Sequence, residues 1–371
     1  MGGEPQKAGR DNVDWLDYAR FLAAFIVMAF HYLANGPRHG KTGEATGFGL
    51  VGQVAEYGYL GVDLFFIISG FVIFWSAIGR PADKFAVSRA SRLWLTFVVC
   101  MSFTALVETL TRTDPVTPLR YLVNLTMIPD WLGQKSVDGV YWTLAVEIAF
   151  YGAVFLAIVL GWTRRPALLV AAWVGVMAIA RLAGTLFGFE PPMLLGGYFP
   201  LFASGCILAL LRQEAPPRWL WAVLAVNLPL VAHLVYTAAV GFKDEGGVNP
   251  WVAVAIVLAF HLPFILFRRA RFRLPMARAI GDLTYPLYLL HAGVGYLAIA
   301  ALPLNKWLAV GLVMAGAILL AHLVNRFVER PTIGLRARAF DGLLGRPIRF
   351  VLGRIPGRSA PAPAPGVSRP D

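Results

Sequence analysis

Hydrophobic residues arrive along this chain in long blocks separated by short polar stretches. The blocks fall at 15–34, 58–78, 93–112, 139–161, 166–186, 195–211, 219–240, 250–267, 283–302 and 307–327. A helix of about 20 apolar residues covers the ~30 Å hydrocarbon core of a bilayer. Backbone groups in lipid must satisfy one another, so such blocks cross as helices, and the alternating ten-residue strands of a membrane barrel are absent. The pattern predicts an all-α fold, a polytopic membrane helical bundle of about ten transmembrane helices.

The polar punctuation gives the orientation. With ten crossings both termini lie on one side. That side collects 24 of the 33 lysines and arginines, and the opposite side collects seven. The positive-inside rule then puts both termini in the cytoplasm. Residues 1–14 read as a cytoplasmic N-terminal segment. The first apolar block contains Asp17 and Arg20 and ends without a small-residue cleavage site, so it is expected to be a retained helix and not a signal peptide. The longest outer loops are expected at 35–57 and 113–138. Residues 340–371, ending RSAPAPAPGVSRPD, read as a basic, disordered cytoplasmic tail in contact with anionic membrane lipid. No internal repeat is visible, unlike inverted-repeat transporters.

Composition agrees. Of the 371 residues 58% are hydrophobic and 15% charged, against about 25% charged in soluble domains. The formal charge of +12 is spread between apolar blocks and makes no basic face, so no nucleic-acid partner is expected. The two cysteines, Cys100 and Cys206, both lie in apolar runs and suit neither a disulfide framework nor a zinc site; no metal ligand set is expected.

Ionisable groups inside spans are expensive, and each is a functional candidate. Arg20 and His31 are 11 residues apart, which places them on one helix face with about 16 Å of rise between them. Asp17 lies one turn before Arg20 and can pair with it; a structural ion pair with His31 as an interfacial residue is the plainer alternative. Glu147 sits ~12 Å inside the outer end of its span, a costly place for an unpaired carboxylate. Tyr288 and His291 share a face, with His291 expected ~12 Å in from the cytoplasmic end; a helix-to-helix hydrogen bond would also explain them. Ser69 and Gly70 mark either close helix packing or a backbone opening beside a channel. Arg89 and Arg92, on the cytoplasmic side, serve charge sorting or grip phosphates. Together these groups make a polar ladder across the bilayer, which an enzyme or a proton-coupled transporter would equally need.

In order along the chain, these motifs resemble the membrane-bound acyltransferase-3 family, whose members O-acylate carbohydrates. The resemblance runs from about residue 12 to 333. Leu16, Asp17, Arg20 and His31 match the family's opening pattern, and Phe65 to Phe71 its Phe-Phe-x-x-Ser-Gly-Phe stretch. Arg89 and Arg92 match its Arg-x-x-Arg loop, and Trp142 to Glu147 (WTLAVE) its Trp-Ser/Thr-Leu-x-x-Glu pattern. TYPLYLLH, with Thr284 in place of the usual serine, and Glu329-x-Pro331 complete the set of six.

The resemblance implies an acyltransferase-3 transmembrane domain over 15–333 in a bacterial inner (plasma) membrane. It implies no bound cofactor, a cytoplasmic acyl-CoA (most often acetyl-CoA) as donor, and a hydroxyl of a carbohydrate or glycolipid on the outer face as acceptor. On that basis His31 is expected to be the general base or a transient acyl carrier, with Glu147 orienting an imidazole and Arg20 and Asp17 completing the catalytic set. Ser69, Trp142, Tyr288 and His291 are expected along the acyl path or at the oxyanion, and Arg89 and Arg92 on the CoA phosphates. No hydrolase-like domain follows the tenth span, so the membrane bundle is expected to do the acylation alone.

Overall fold

The computed structural model describes residues 13–43, 45–243, 247–270 and 273–354. Among them every regular element is helical. The main helices are α1 (Asp14–Phe30), α2 (Gly61–Ala77), α3 (Ala82–Thr111), α4 (Trp142–Val159), α5 (Pro166–Phe187), α6 (Phe199–Leu211) and α7 (Leu220–Lys243). They continue as α8 (Pro250–Ala259), α9 (Ala277–Leu290), α10 (Gly293–Ala301), α11 (Lys306–Val324), α12 (Arg330–Phe340) and α13 (Arg346–Gly353). The chain is a polytopic helical bundle.

Contacts between connections sort them onto two ends. At one end, here the lower, the Leu274 N–H donates to Asp14 at 3.0 Å and Arg349 donates to Asp83 at 2.7 Å. At the upper end Arg38 donates to Glu56 at 2.6 Å, the Asn249 N–H to Tyr57 at 2.9 Å and Lys306 to the Gly47 carbonyl at 2.7 Å. Successive apolar blocks therefore run in alternate directions, with α9 and α10 together making one bent block.

The count of crossings differs from the ten expected. Among the described residues seven helical stretches are long and apolar enough to cross a bilayer, or eight if the bent pair α9/α10 is one span. Two apolar blocks are shorter helices, Phe199–Leu211 and Pro250–Leu266. All 13 residues of α6 are buried. At 1.5 Å per residue it is about 20 Å long and is sheathed by protein. Hydropathy reads the apolarity of a block but not whether lipid or protein surrounds it. The block at 283–302 fails for another reason, a 72° bend between α9 and α10. At the break the Gly293 N–H donates to the Asp138 carboxylate at 2.8 Å, which satisfies a backbone group freed from the helix ladder.

α6 packs most closely on α2, and small residues allow it. A Cβ on Gly205 would sit 2.1 Å from the Ile67 carbonyl oxygen, and one on Gly70 2.2 Å from that of Phe202. Backbone meets backbone here, the way membrane helices associate when no hydrophobic gain drives them together.

The region expected to be a disordered tail is ordered where it is described. From Phe340 the chain passes through a wide turn (Asp341–Gly345) into α13. Arg349 clamps it with bonds to Asp83 and to both oxygens of Asp341, at 2.9 and 3.0 Å. Hydrogen bonds cheap enough to miss in a basic, glycine-containing sequence hold it against α3. Residues 355–371 of that tail, and residues 1–12 of the N-terminal segment, lie outside the described residues.

The loop at 113–138, at the upper end, is also built. Arg120, 7% exposed, donates to Asp114 at 3.1 Å and to the carbonyls of Lys135 and Ser136 at 3.2 and 2.7 Å. Hydrogen bonds to a charged group contribute about 1.5–3 kcal/mol each way of counting. Arg120→Ala is therefore expected to destabilise the protein by roughly 2–3 kcal/mol and to raise amide exchange across 113–138. Unchanged exchange there would show that the loop is held by other contacts.

Candidate active site

Six of the ten candidate side chains meet in one cavity of about 120 Å³ between α1, α2, α3, α4 and α9: Arg20, Ser69, Arg89, Arg92, Glu147 and Tyr288. Helical spacing explains the gathering. Arg89 and Arg92 are one turn apart at the lower end of α3, and Ser69 lies mid-way along α2 where Gly70 admits α6 on the opposite side. The Glu147 Oε1 accepts from Ser69 at 2.8 Å and from Tyr151, one turn on, at 2.6 Å. These two hydroxyls satisfy a carboxylate that the apolar run of α4 could not.

The lower part of this chamber is cationic. Arg20 pairs with Asp17 at 3.3 Å; Asp17 itself lies against Gly281 of α9, where a Cβ would come within 2.6 Å of its carboxylate, and it stays outside the chamber. Arg89 donates weakly to Ser76 at 3.4 Å, and its buried Nε has no partner. Arg92 is exposed and makes no hydrogen bond among the described residues. Three guanidiniums share one pocket with a single close ion pair, and a buried orphan donor is costly. The chemistry such a donor set takes is an anion with several oxygens, a phosphate above all.

A second centre lies at the upper end of α1. At His31 the helix widens into a π-helical turn, His31–Asn35; such turns are frequent at functional sites. The turn brings His31 and Asn35 onto the same phenol. Tyr296 Oη bonds His31 Nδ1 and accepts from Asn35 Nδ2, the latter at 2.7 Å. His31 is half-buried. His291 faces it with ring centroids 5.0 Å apart. His291 Nδ1 donates to the Tyr288 carbonyl at 2.8 Å, and its buried Nε2 has no partner.

His291 was expected near the cytoplasmic end and instead stands beside His31. Its span begins at Ala277 and breaks directly after it, so His291 occupies the upper end of α9. Glu147 was expected to orient an imidazole; its partners are Ser69 and Tyr151. Tyr288 joins the two centres. It lines the chamber, packs 5.6 Å from the His291 ring, and shares a 2.9 Å bond with Thr143. Trp142 stands outside both, its ring 5.0 Å from that of Tyr198. The sequence reading missed Asn35, Tyr151 and Tyr296. The first two lie four residues after His31 and Glu147, a spacing that signals contact; Tyr296 reaches His31 only because of the bend.

The chain is 26% identical over 369 aligned residues to peptidoglycan O-acetyltransferase OatA of Listeria monocytogenes, covering 87% of this chain and 56% of that protein. It is 27% identical over 306 to nodulation protein 10 of Rhizobium leguminosarum bv. viciae, covering 74% of this chain and 82% of the relative. The chain thus spans little more than half the length of the Listeria protein. No solved structure matches it. The family model described as Acyltransferase domain matches residues 13–326, both centres included, and the chain belongs to that acyltransferase-3 family.

Proposed function

We propose that the protein is an integral membrane O-acyltransferase that moves an acyl group, acetyl by preference, from cytoplasmic acyl-CoA to a hydroxyl of a carbohydrate or glycoconjugate on the outer face. The observation that carries this reading is the pair of centres meeting at Tyr288: a chamber lined by three arginines, and a histidine held by a phenol towards the upper end. The bacterial sources of the two relatives, and the lysine and arginine bias of the sequence, support a bacterial inner membrane with the lower end in the cytoplasm.

In this reading Arg89, Arg92 and Arg20 grip the donor's phosphates, and Asp17 holds Arg20 in place. The Ser69–Glu147–Tyr151 group and Tyr288 line the path of the acyl end. With its Nδ1–H donated to Tyr296 Oη, His31 keeps the Nε2 lone pair free. Nε2 takes the proton of the acceptor hydroxyl, whose oxygen attacks the thioester carbonyl carbon. The C–S bond breaks, the ester forms, and the thiolate leaves and takes up a proton. Tyr288 Oη is placed to donate to the developing oxyanion, and the His291 Nε2 lone pair is left to accept from a water or a hydroxyl of the acceptor.

The test is incubation of membranes holding the protein with isotope-labelled acetyl-CoA and bacterial surface glycan, followed by mass spectrometry of the glycan. Label on glycan hydroxyls supports the reading; label that never leaves the donor, with movement of solute tied to the proton gradient instead, would favour a transporter. Arg89→Ala and Arg92→Ala are each expected to raise the KM for acyl-CoA by roughly 10–100-fold, the equivalent of a lost charged hydrogen bond. The acceptor KM should not move. A rise in acceptor KM instead would take the arginines off the donor.

A further inference from the structure

Outside the chamber and the histidine centre, the upper end holds a third group of side chains. Asp63, in the first turn of α2, is 6% exposed. Among the described residues it has no hydrogen bond and no ion pair. Phe66, three residues on in the same helix, shares its face. The Tyr59 hydroxyl is buried and also lacks a partner. Beside them three rings cluster: Tyr198 lies 5.0 Å from Trp142 and 5.1 Å from Phe66, and Phe66 lies 6.3 Å from Trp142.

The placement of this group follows from the topology. α2, α4 and α6 all begin at the upper end, and Asp63, Trp142 and Tyr198 stand at those three beginnings. Tyr59 also packs 5.9 Å from Phe30, the residue before His31. The group is thus adjacent to the histidine centre and on its side of the bundle.

A carboxylate without a partner at such a place is costly. It asks for donors from outside the chain. A metal ion would need more ligands, and no group of three or more histidine, cysteine or acidic side chains exists among the described residues. Among the described residues no lysine or arginine pairs with it either. A lipid acyl chain would use the rings but leave the carboxylate bare. A pyranose ring uses both: its C–H face lies on aromatic rings, and its hydroxyls donate to a carboxylate.

We propose that Asp63, Tyr59, Trp142 and Tyr198 form a sugar-binding subsite that seats a hexopyranose ring of the ligand. Its role as the acceptor subsite rests on the acyl-transfer reading above; the binding itself does not. Trp142 then carries recognition of the sugar and takes no part in the acyl path.

The experiment reads binding and needs no turnover. The full chain in lipid nanodiscs is mixed with oligosaccharides of N-acetylglucosamine, glucose and galactose, and saturation-transfer NMR is recorded. Wild type should saturate ring C–H protons of at least one of them. Asp63→Asn, which keeps the side-chain volume, should weaken that binding by about tenfold or more. Trp142→Leu should abolish the ring-proton signal, and thermal melts identify any variant that fails to fold, in which case Asp63→Asn decides. No saturation from any of the three sugars overturns the subsite, as does binding that ignores Asp63→Asn. Sugar binding that depends on Asp63, in a protein that transfers no label from acetyl-CoA, would keep the subsite and sink the acyl-transfer reading.

Discussion

Replacing His31 with alanine is expected to lower acyl transfer by about 10²–10⁴-fold, the range for loss of a positioned general base, with the yield and melting temperature of the protein unchanged. The geometry gives the reason for both halves. His31 is half-buried in a π-helical turn that Asn35 and Tyr296 hold from the other side, so loss of the imidazole leaves the Asn35–Tyr296 bond to keep the turn in place. Tyr296→Phe should have a smaller effect, because it removes the group that fixes the ring and leaves the ring itself. The measurement is labelled acetate on glycan at matched expression. Near-normal transfer by His31→Ala would move the base to His291, the second imidazole 5.0 Å away.

The second large effect is on folding. Gly205→Ala and Gly70→Ala each place a methyl group 2.1–2.2 Å from a carbonyl oxygen of the facing helix. A flexible side chain would yield to such a contact, but backbone does not, so α2 and α6 must separate. Overpacking of a tight core costs about 1–3 kcal/mol and more where nothing can move. Because α6 is wholly buried and carries part of the wall behind Ser69, we expect loss of most folded protein in detergent. Gly175→Ala in α5 is the control: its Cβ would meet nothing within 4 Å, and alanine is the better helix former by up to about 1 kcal/mol. Equal melting temperatures for Gly70→Ala, Gly205→Ala and Gly175→Ala would show that the helices do not approach as closely as described.

The contrast between what was legible in the sequence and what was not follows the range of the forces involved. Arg20, Glu147 and Ser69 stood out as polar groups in apolar blocks, where such groups are costly, and Arg89 and Arg92 as a forked pair in a polar stretch matching the family's Arg-x-x-Arg loop. That they share one cavity follows from helix direction and depth, both readable from block order. The depth of His291 was not readable, since it depends on a break stabilised by Asp138, 155 residues away. The count of spans came out a little below ten, and at α6 the reason is its 13-residue length and its burial in protein, neither of which its composition reveals. Asn35 and Tyr151 were within reach of the four-residue rule applied to His31 and Glu147. Asp63 lay in the quoted span but its significance is a missing partner, and only coordinates show what a carboxylate fails to touch.

The junction at Tyr288 also bears on how the bundle holds a voltage. Between the arginine chamber and the histidine centre stand Phe65, edge-on to Tyr288 at 5.6 Å, and the Thr143–Tyr288 bond. A layer of phenyl, phenol and methyl groups is a poor dielectric. An ion crossing it would lose most of its hydration energy, whereas a neutral acetyl group has little to lose. In the proposed reaction such a layer would insulate: phosphates and their counterions would stay on the donor's side, and passage of an acyl group would not short-circuit the membrane potential. Opening that layer, as Phe65→Ala together with Tyr288→Ala would, should therefore appear first as leakiness of the host membrane to protons, ahead of any change in the chemistry.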